Sequence, residues 1–569
     1  VKAGLRSSWT RLVPLVHTLR TYRRESMLGG DVNAGLTVGI MLIPQGMAYA
    51  LIAGVPPIYG LYAALVPLLV YAVLGTSAPL AVGPVAIVSL LVASAVGSME
   101  SAASPDYLRL VLVLSLLVGA FQLGLGMVGL GSLTSLLSRP VLSGFMSAAA
   151  IVIGSTQVKH ILGVSMPRSD FLETLAGLWR ALPDTHLPTL AMGLGGMALM
   201  LGVRFISRRA GIRLPDAMIA VTLAILATWL FGLDDTGLRV VGSVPAGLPS
   251  MAVPVASWHE VRALAPTAIV IGLVGFMQSV AIAQSLARQT GARIDPSQEL
   301  RALGAANVLG SLFQAFPATG GLSRSAVNHD AGAQTTLAGL VTAGMVALTL
   351  LLLTPLFRLL PHALLGAIIL IAVANLISWR EMVRLCRTHR LDALVLAVTF
   401  FATLLLGFIE GIGLGIVLSL AMFTYQASRP HTARLGRLPG TTRYRSVARD
   451  ARAEVPRGLV ILRIDASLFF ANVGFVREEI DRALEETPEA RIVLLDMYPV
   501  NRIDASAVHE LEALRDDLAE RGVEIWFAAA KGPVRDSLEK SMPAAGLRAD
   551  VLRLDLHEAV LGAERYLRA

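Results

Sequence analysis

Cysteine is nearly absent: Cys386 is the only one in 569 residues, which excludes a disulfide-stapled framework. Charge is scarce too. Lys, Arg, Asp and Glu make up 15% of the chain, against about a quarter in soluble domains. From Val32 to Met99 there is no Lys, Arg, Asp, Glu or His, and the same holds for Leu110–Ser138, Pro140–Val158, Ala263–Ala287 and Ala331–Phe357. Such runs read as membrane spans, because a helix needs about 20 apolar residues to cross the hydrocarbon core. They are continuously apolar rather than alternating, which argues for helices and against a barrel. Chemical signatures are missing as well. No G-x-x-x-x-G-K-[ST] loop, H-E-x-x-H, Cys/His cluster or G-x-S-x-G occurs, so no ATP drive, enzyme activity, metal or cofactor is expected. GLGMVG (124–129) fits a dinucleotide pattern but lies inside an apolar span, where helix packing accounts for its glycines. The net charge of +8 fits basic loops on one membrane face better than nucleic acid.

What is present organises the chain into four parts. Residues 1–30 are basic and polar with a short apolar piece, have no cleavable signal pattern, and read as an amphipathic segment on the membrane surface. Residues 31–428 hold about fourteen apolar segments. The loops 204–213, 288–295 and 380–390 are basic, whereas 100–106 and 234–237 are acidic, so the positive-inside rule puts the basic loops and both termini on the cytoplasmic side. Residues 429–458 read as a basic polar linker. Residues 459–569 alternate buried-strand runs (LVILRI, RIVLLDM, VEIWFAAA) with helical spacing, as in a small soluble α/β domain.

The membrane part carries a repeat. Gln45 opens QGMAYA and Gln278 opens QSVAIA; each is followed 39 positions later by a proline, Pro84 or Pro317, before a stretch of small and polar residues. Seven spans in each half would make the second half enter from the opposite side, an inverted repeat. The segments around 79–97 and 317–332 are too short or glycine-rich to cross as full helices. If both prolines begin half-helices, two helix N-termini face each other in mid-membrane and form an anion trap.

Arg324, in PATGGLSRSAVN (317–328), sharpens that reading. A cation in a span costs about 2.5–3.5 kcal/mol on insertion scales. An anion in the gap would offset it, with Ser323 and Ser325 offering hydroxyls and Gln45 and Gln278 offering amides. The competing reading has Arg324 reaching the membrane surface or pairing with Asp330 or Glu410. Glu410 itself reads as a structural cap or a coupling group, and Tyr49 as a site residue or a core aromatic. Lys159 and His160 read as interfacial.

IPQGMAYALIAGVPPIYGLYAA (43–64), GPVAIVSLL (83–91), GFMQSVAIAQSLA (275–287) and TGGLSRSAVN (319–328) resemble the motifs of the sulfate permease (SulP) family of anion transporters. RIDASLFFAN (463–472) and LLDMYPVNRIDASAVHEL (494–511) resemble its cytoplasmic STAS domain. The resemblance implies an all-α polytopic membrane domain, a 7+7 inverted repeat divided into core and gate domains, with a small α/β STAS domain attached. It implies substrate-binding positions at Gln45, Tyr49, Val85, Ala86, Gln278, Leu322, Ser323 and Arg324, an elevator motion, and a homodimer in the inner (plasma) membrane. The substrate would be a small inorganic or organic anion: sulfate, bicarbonate, chloride or a C4-dicarboxylate. The alternative is a voltage-responsive or channel-like protein on the same scaffold. Many members carry a glutamate at position 278. The amide here does not titrate near neutral pH, which counts against proton coupling at Gln278; Gln278 and Glu410 are the candidate coupling positions for H+ or Na+, with another group or uncoupled exchange as the alternatives. In soluble STAS relatives a serine in D-S-S-G accepts phosphate; Asp504-Ala505-Ser506-Ala507 stands here, and Ser506 reads as a helix cap or a phosphate acceptor. The STAS domain is expected to support the dimer or bind a cytoplasmic protein partner.

Overall fold

The computed structural model describes residues 13–102, 104–131, 138–167, 169–211, 214–541 and 551–569. The chain divides into two compact units, residues 1–419 and 420–569. The first twelve residues of the expected surface segment, and the end of the 204–213 loop, lie outside the described residues.

In the first unit a short amphipathic helix, α1 (Pro14–Thr21), precedes α2, which starts at Arg24 and runs to Ala53. The helix that carries the first span therefore begins before residue 31, where its first buried residue, Asp31, stands. There follow α3 (Pro57–Leu74), strand β1 (Val82–Gly83), α4 (Ala86–Gly97), α5 (Pro105–Met127), α6 (Arg139–Leu162), α7 (Phe171–Ala181), α8 (Leu187–Ala210) and α9 (Asp216–Phe231). The second half repeats the order: α10 (Trp258–Thr290), α11 (Pro296–Leu312), β2 (Thr319–Gly320), α12 (Leu322–Asp330), α13 (Leu337–Leu348), α14 (His362–Ala374), α15 (Trp379–Thr388), α16 (Arg390–Leu405) and α17 (Phe408–Ser428). Among the described residues nine helical stretches are long and apolar enough to cross a membrane, with α13 continued to Leu359 and α14 taken together with α15 as His362–Thr388. With the shorter α4, α9, α11, α12 and α16 they make fourteen segments, seven in each half. α7 and α15 are amphipathic and occupy equivalent places, so the basic stretch 380–390 forms mostly a helix rather than a loop.

Packing follows the repeat. α2 against α13 mirrors α10 against α5, and α13 against α3 mirrors α5 against α11. These helices and α4 and α12 form one body. The other body is built from α6, α8, α9, α14 and α16, with α6 packed on α14 and α16 and α8 on α9 and α14. The α5–α11 contact is close because it is made through glycine. A Cβ on Gly119 would lie 2.5 Å from the Val308 nitrogen, and one on Gly304 would lie 2.4 Å from the Leu123 nitrogen. The same small-residue packing explains GLGMVG, where Gly126 lies against Leu300 and Arg301.

The second unit is a five-stranded sheet in the order β4 (Tyr444–Ser446), β3 (Thr432–Arg437), β5 (Leu459–Ile464), β6 (Ile492–Asp496), β7 (Glu524–Ala528). β5, β6 and β7 are parallel, and β3 joins β5 antiparallel. Helices α18 (Val473–Glu485), α19 (Ala505–Glu520) and α20 (Gly532–Ser541) contribute to a core with one face, and α21 (Leu556–Arg568) covers the other. The expected linker is thus partly structural: residues 432–446 supply two strands. Their arginines are partly or fully exposed, and Arg434 bonds Glu486 and Thr487, so apolar alternation is muted. Asp504 alone caps α19, accepting from Ala507 N at 2.8 Å; Ser506 is exposed inside the first turn and is not the cap.

Candidate functional site

β1 and β2 pair antiparallel, Val82 opposite Gly320 and Gly83 opposite Thr319. That two-residue ladder brings the N-termini of α4 and α12 together. Each helix follows at once, with Val85 and Gly321 as N-caps and no side chain capping either. The first intrahelical bonds are Ser89 N to Val85 O and Ser325 N to Gly321 O. The earlier amides of both helices therefore have no carbonyl of their own helix to bond, and both positive dipole ends point into the same gap.

The expected prolines are not equivalent in this geometry. Pro84 directly precedes its cap, whereas Pro317 lies four residues before Gly321. α10 and the turn after it are longer than α2 and its turn, so the equal spacing of 39 is a coincidence of lengths. The glutamines do correspond: Gln45 on α2 and Gln278 on α10 both reach the gap.

Buried hydrogen bonds hold this arrangement. Ser279 Oγ accepts from Gly320 N (2.9 Å) and shares a 2.7 Å bond with Thr319 Oγ1, tying β2 to α10. Asn307 Oδ1 accepts from Ala318 N (2.8 Å), while its amide donates to Gln122 Oε1 (2.9 Å). On the β1 side, fully buried Glu299 accepts from Tyr71 Oη, Thr76 N and Thr76 Oγ1 at 2.6–2.8 Å, anchoring the turn that leads into β1. Ser325 Oγ accepts from Ala81 N at 2.9 Å. Ser325 therefore clamps the ladder and does not serve the gap, contrary to the expectation for its hydroxyl.

A cavity of about 100 Å³ lies at the helix ends. Gln45, Tyr49, Val85, Ala86, Gln278, Leu322, Ser323 and Arg324 all line it. Glu410 does not; it is exposed in the first turn of α17. Arg324 is 2% exposed, and its Nε and Nη2 have no hydrogen-bond partner. No carboxylate among the described residues pairs with it, so the surface-reaching and ion-pair readings fall away. Its guanidinium folds back beside Gly83 and Gly321; a Cβ on Gly321 would lie 2.7 Å from Nη2. Gln278 Oε1 is likewise buried without a partner. The unsatisfied Nε and Nη2 donors of Arg324 beside two positive helix ends make an electropositive cavity suited to an oxyanion, whereas the Gln278 oxygen is an acceptor.

The opposite wall comes from the other body, through residues that sequence reasoning did not single out. Met200, Ala217, Ile368 and Ile371 make it apolar, with Arg204 and Asn375 as polar exceptions. Arg204 was hidden because RFISRRAGIR reads as a topology signal, in which a single arginine is indistinguishable from its neighbours.

Fold and site together define an inverted-repeat membrane transporter with paired half-helices and an attached STAS domain. The chain belongs to the sulfate permease family of anion transporters: residues 28–399 match that family and residues 450–559 match the STAS domain. It is 36% identical over 98% of its length to sulfate transporter 4.1, chloroplastic, of Arabidopsis thaliana, covering 83% of that protein. It is 34% identical over 97% of its length to a probable sulfate transporter of Mycobacterium tuberculosis, covering 98% of it. Among solved structures it resembles murine solute carrier 26 member A9, an anion transporter in the inward-facing state, with a TM-score of 0.92 and 25% identity over 99% of this chain and 95% of that one.

Proposed function

We propose that this protein is a secondary carrier of sulfate, which binds between the N-termini of α4 and α12 and crosses by an elevator motion of the body that holds them. The observation that carries this reading is the partnerless, buried guanidinium of Arg324 at the β1–β2 ladder. A permanent cation left unpaired in a dry site is costly, and a dianion would supply the missing partner. Relatives named as sulfate transporters favour sulfate over bicarbonate, chloride or a C4-dicarboxylate. Two cavities along the seam between the bodies support alternating access. The first lies at the N-terminal end of α4; a second, of about 420 Å³, is lined by Leu90, Ala93 and Ser94 further along α4 and by Thr156 and His160 of α6. The site cavity is lined by Arg204 and Asn375, toward the ends of α8 and α14 that adjoin basic stretches, so it faces the side we assign to the cytoplasm. In this reading both termini share that side, the protein is a homodimer in the inner membrane, and the STAS domain serves the dimer or a cytoplasmic protein. In this reading Gln278, an amide, carries no proton near neutral pH, and Glu410 does not line the cavity.

Purified protein in liposomes should take up labelled sulfate saturably, more readily than bicarbonate, chloride or fumarate. Proton and sodium gradients imposed in turn identify the coupling ion. Anion-dependent charge movement with no flux would replace the carrier by a voltage-responsive protein.

A further inference from the structure

The wall facing Arg324 carries one cation, and that cation has donors to spare. Arg204 sits on α8 one turn after buried Met200, and both line the cavity. Its Nε donates to the carboxylate of Asp216, the first residue of α9. The Asp216 side chain is 10% exposed and that of Arg204 37%, so the acid is the more enclosed partner. Only Nε of Arg204 is committed among the described residues; four N–H donors of the guanidinium remain. A carboxylate that grips Nε fixes the plane of an arginine and aims its outer fork.

We infer that Arg204 is a second anion ligand, donated by the body opposite Arg324, and that Asp216 positions it and sets how much positive charge the cavity presents. The inference rests on the anion site proposed above. Arg324 rides with the half-helices, and Arg204 stands on the facing wall. A dianion can accept from both at once. A monoanion neutralised at Arg324 gains much less from a second cation. The pair therefore acts as a selector for doubly charged oxyanions. It also ties the substrate to the opposite body in this conformation, a contact that must break when the half-helices move.

The test is uptake of labelled sulfate by the full chain in liposomes, with nitrate as a monovalent competitor. Arg204→Gln should raise the sulfate KM on the order of tenfold, the value of a charge-assisted hydrogen bond, and shift the half-inhibiting nitrate concentration less than twofold. Arg204→Lys keeps the charge without the fork and should fall between. Asp216→Asn removes the opposing charge and should increase the preference for sulfate over nitrate. The inference is overturned if Arg204→Gln changes both anions in proportion, or if Arg204→Gln and Asp216→Asn lower the sulfate preference alike, since the pair would then be a strut between α8 and α9. Should Arg204→Gln fail to fold, Arg204→Lys and Asp216→Asn decide alone, by opposite shifts in preference. Absence of saturable sulfate uptake by the unmodified protein, or indifference to Arg324→Ala, would instead sink the underlying anion site.

Discussion

The two half-helices are built alike but charged differently. β1 leads through Pro84 and Val85 into α4, and β2 leads through Gly321 into α12. Both expose uncapped amides to one gap, so the repeat supplies the dipole geometry twice. Of the two half-helices, only α12 carries a guanidinium. The first half fills the matching ground with Val85 and Ala86, both nearly buried, and with Gly83, against which Arg324 packs. An inverted repeat thus need not be a symmetric site: one half-helix provides the cation and the other provides the room for it.

Breaking that asymmetry should produce the largest effect. Arg324→Ala should cut sulfate uptake on the order of a hundredfold, the upper end for lost charge-assisted bonds, whereas Val85→Ala should change it less than threefold in the same flux assay. Gly321→Ala is subtler. The new Cβ meets the tip of a flexible side chain rather than backbone, so the fold should tolerate it. The guanidinium must move, however, and the sulfate KM should rise about tenfold with little change in Tm. A variant that melts early would place the role of Gly321 in packing instead.

This division explains what could be read from the residues. Arg324 was legible because it stands alone among apolar runs, and the broken spans were legible because small residues and prolines interrupt them. The glutamine repeat pointed correctly to facing side chains. The proline repeat did not, because helix and turn lengths differ between the halves and only the folded ladder aligns them. Ser325 misled for a local reason: helix positions two apart diverge by about 200 degrees, so Ser323 and Ser325 cannot serve the same gap. Arg204 was invisible among basic neighbours. Strand β4 at the sheet edge and β3 beside it were hidden by their arginines, which interrupt the apolar alternation that marks a strand.

Gln45 and Gln278 offer a second comparison, between matched residues on α2 and α10. Gln278→Glu would place a titratable group in the cavity that Arg324 lines, where the unpartnered Oε1 now lies. Its ionised form competes with the anion for the guanidinium, and its protonated form does not. Sulfate uptake should therefore become severalfold faster at acidic than at alkaline pH in the variant, relative to the unmodified chain. A flat ratio across pH 5–8 would mean that position 278 does not share the electrostatics of Arg324.

The smallest effect should come from the STAS unit, where an acid is buried for architecture rather than for a ligand. Asp496 ends β6 at 6% exposure, and its carboxylate accepts from Tyr498 N. Burial raises its pKa above the ordinary value, outweighing that bond and the nearby Arg463. A carboxyl whose folded pKa is raised supports the fold fully only below its unfolded value, near 3.9. That support is lost as pH climbs through the folded value. At neutral pH the ionised group therefore costs stability. Asp496→Asn keeps the acceptor and removes the charge, so the melting temperature at pH 7 should rise by a few degrees, on the order of the shift for 1 kcal/mol, and the gain should shrink toward pH 4. Sulfate KM should stay unchanged. A variant that melts lower at pH 7 would mean that the ionised carboxylate is held by favourable charges strong enough to overcome its burial.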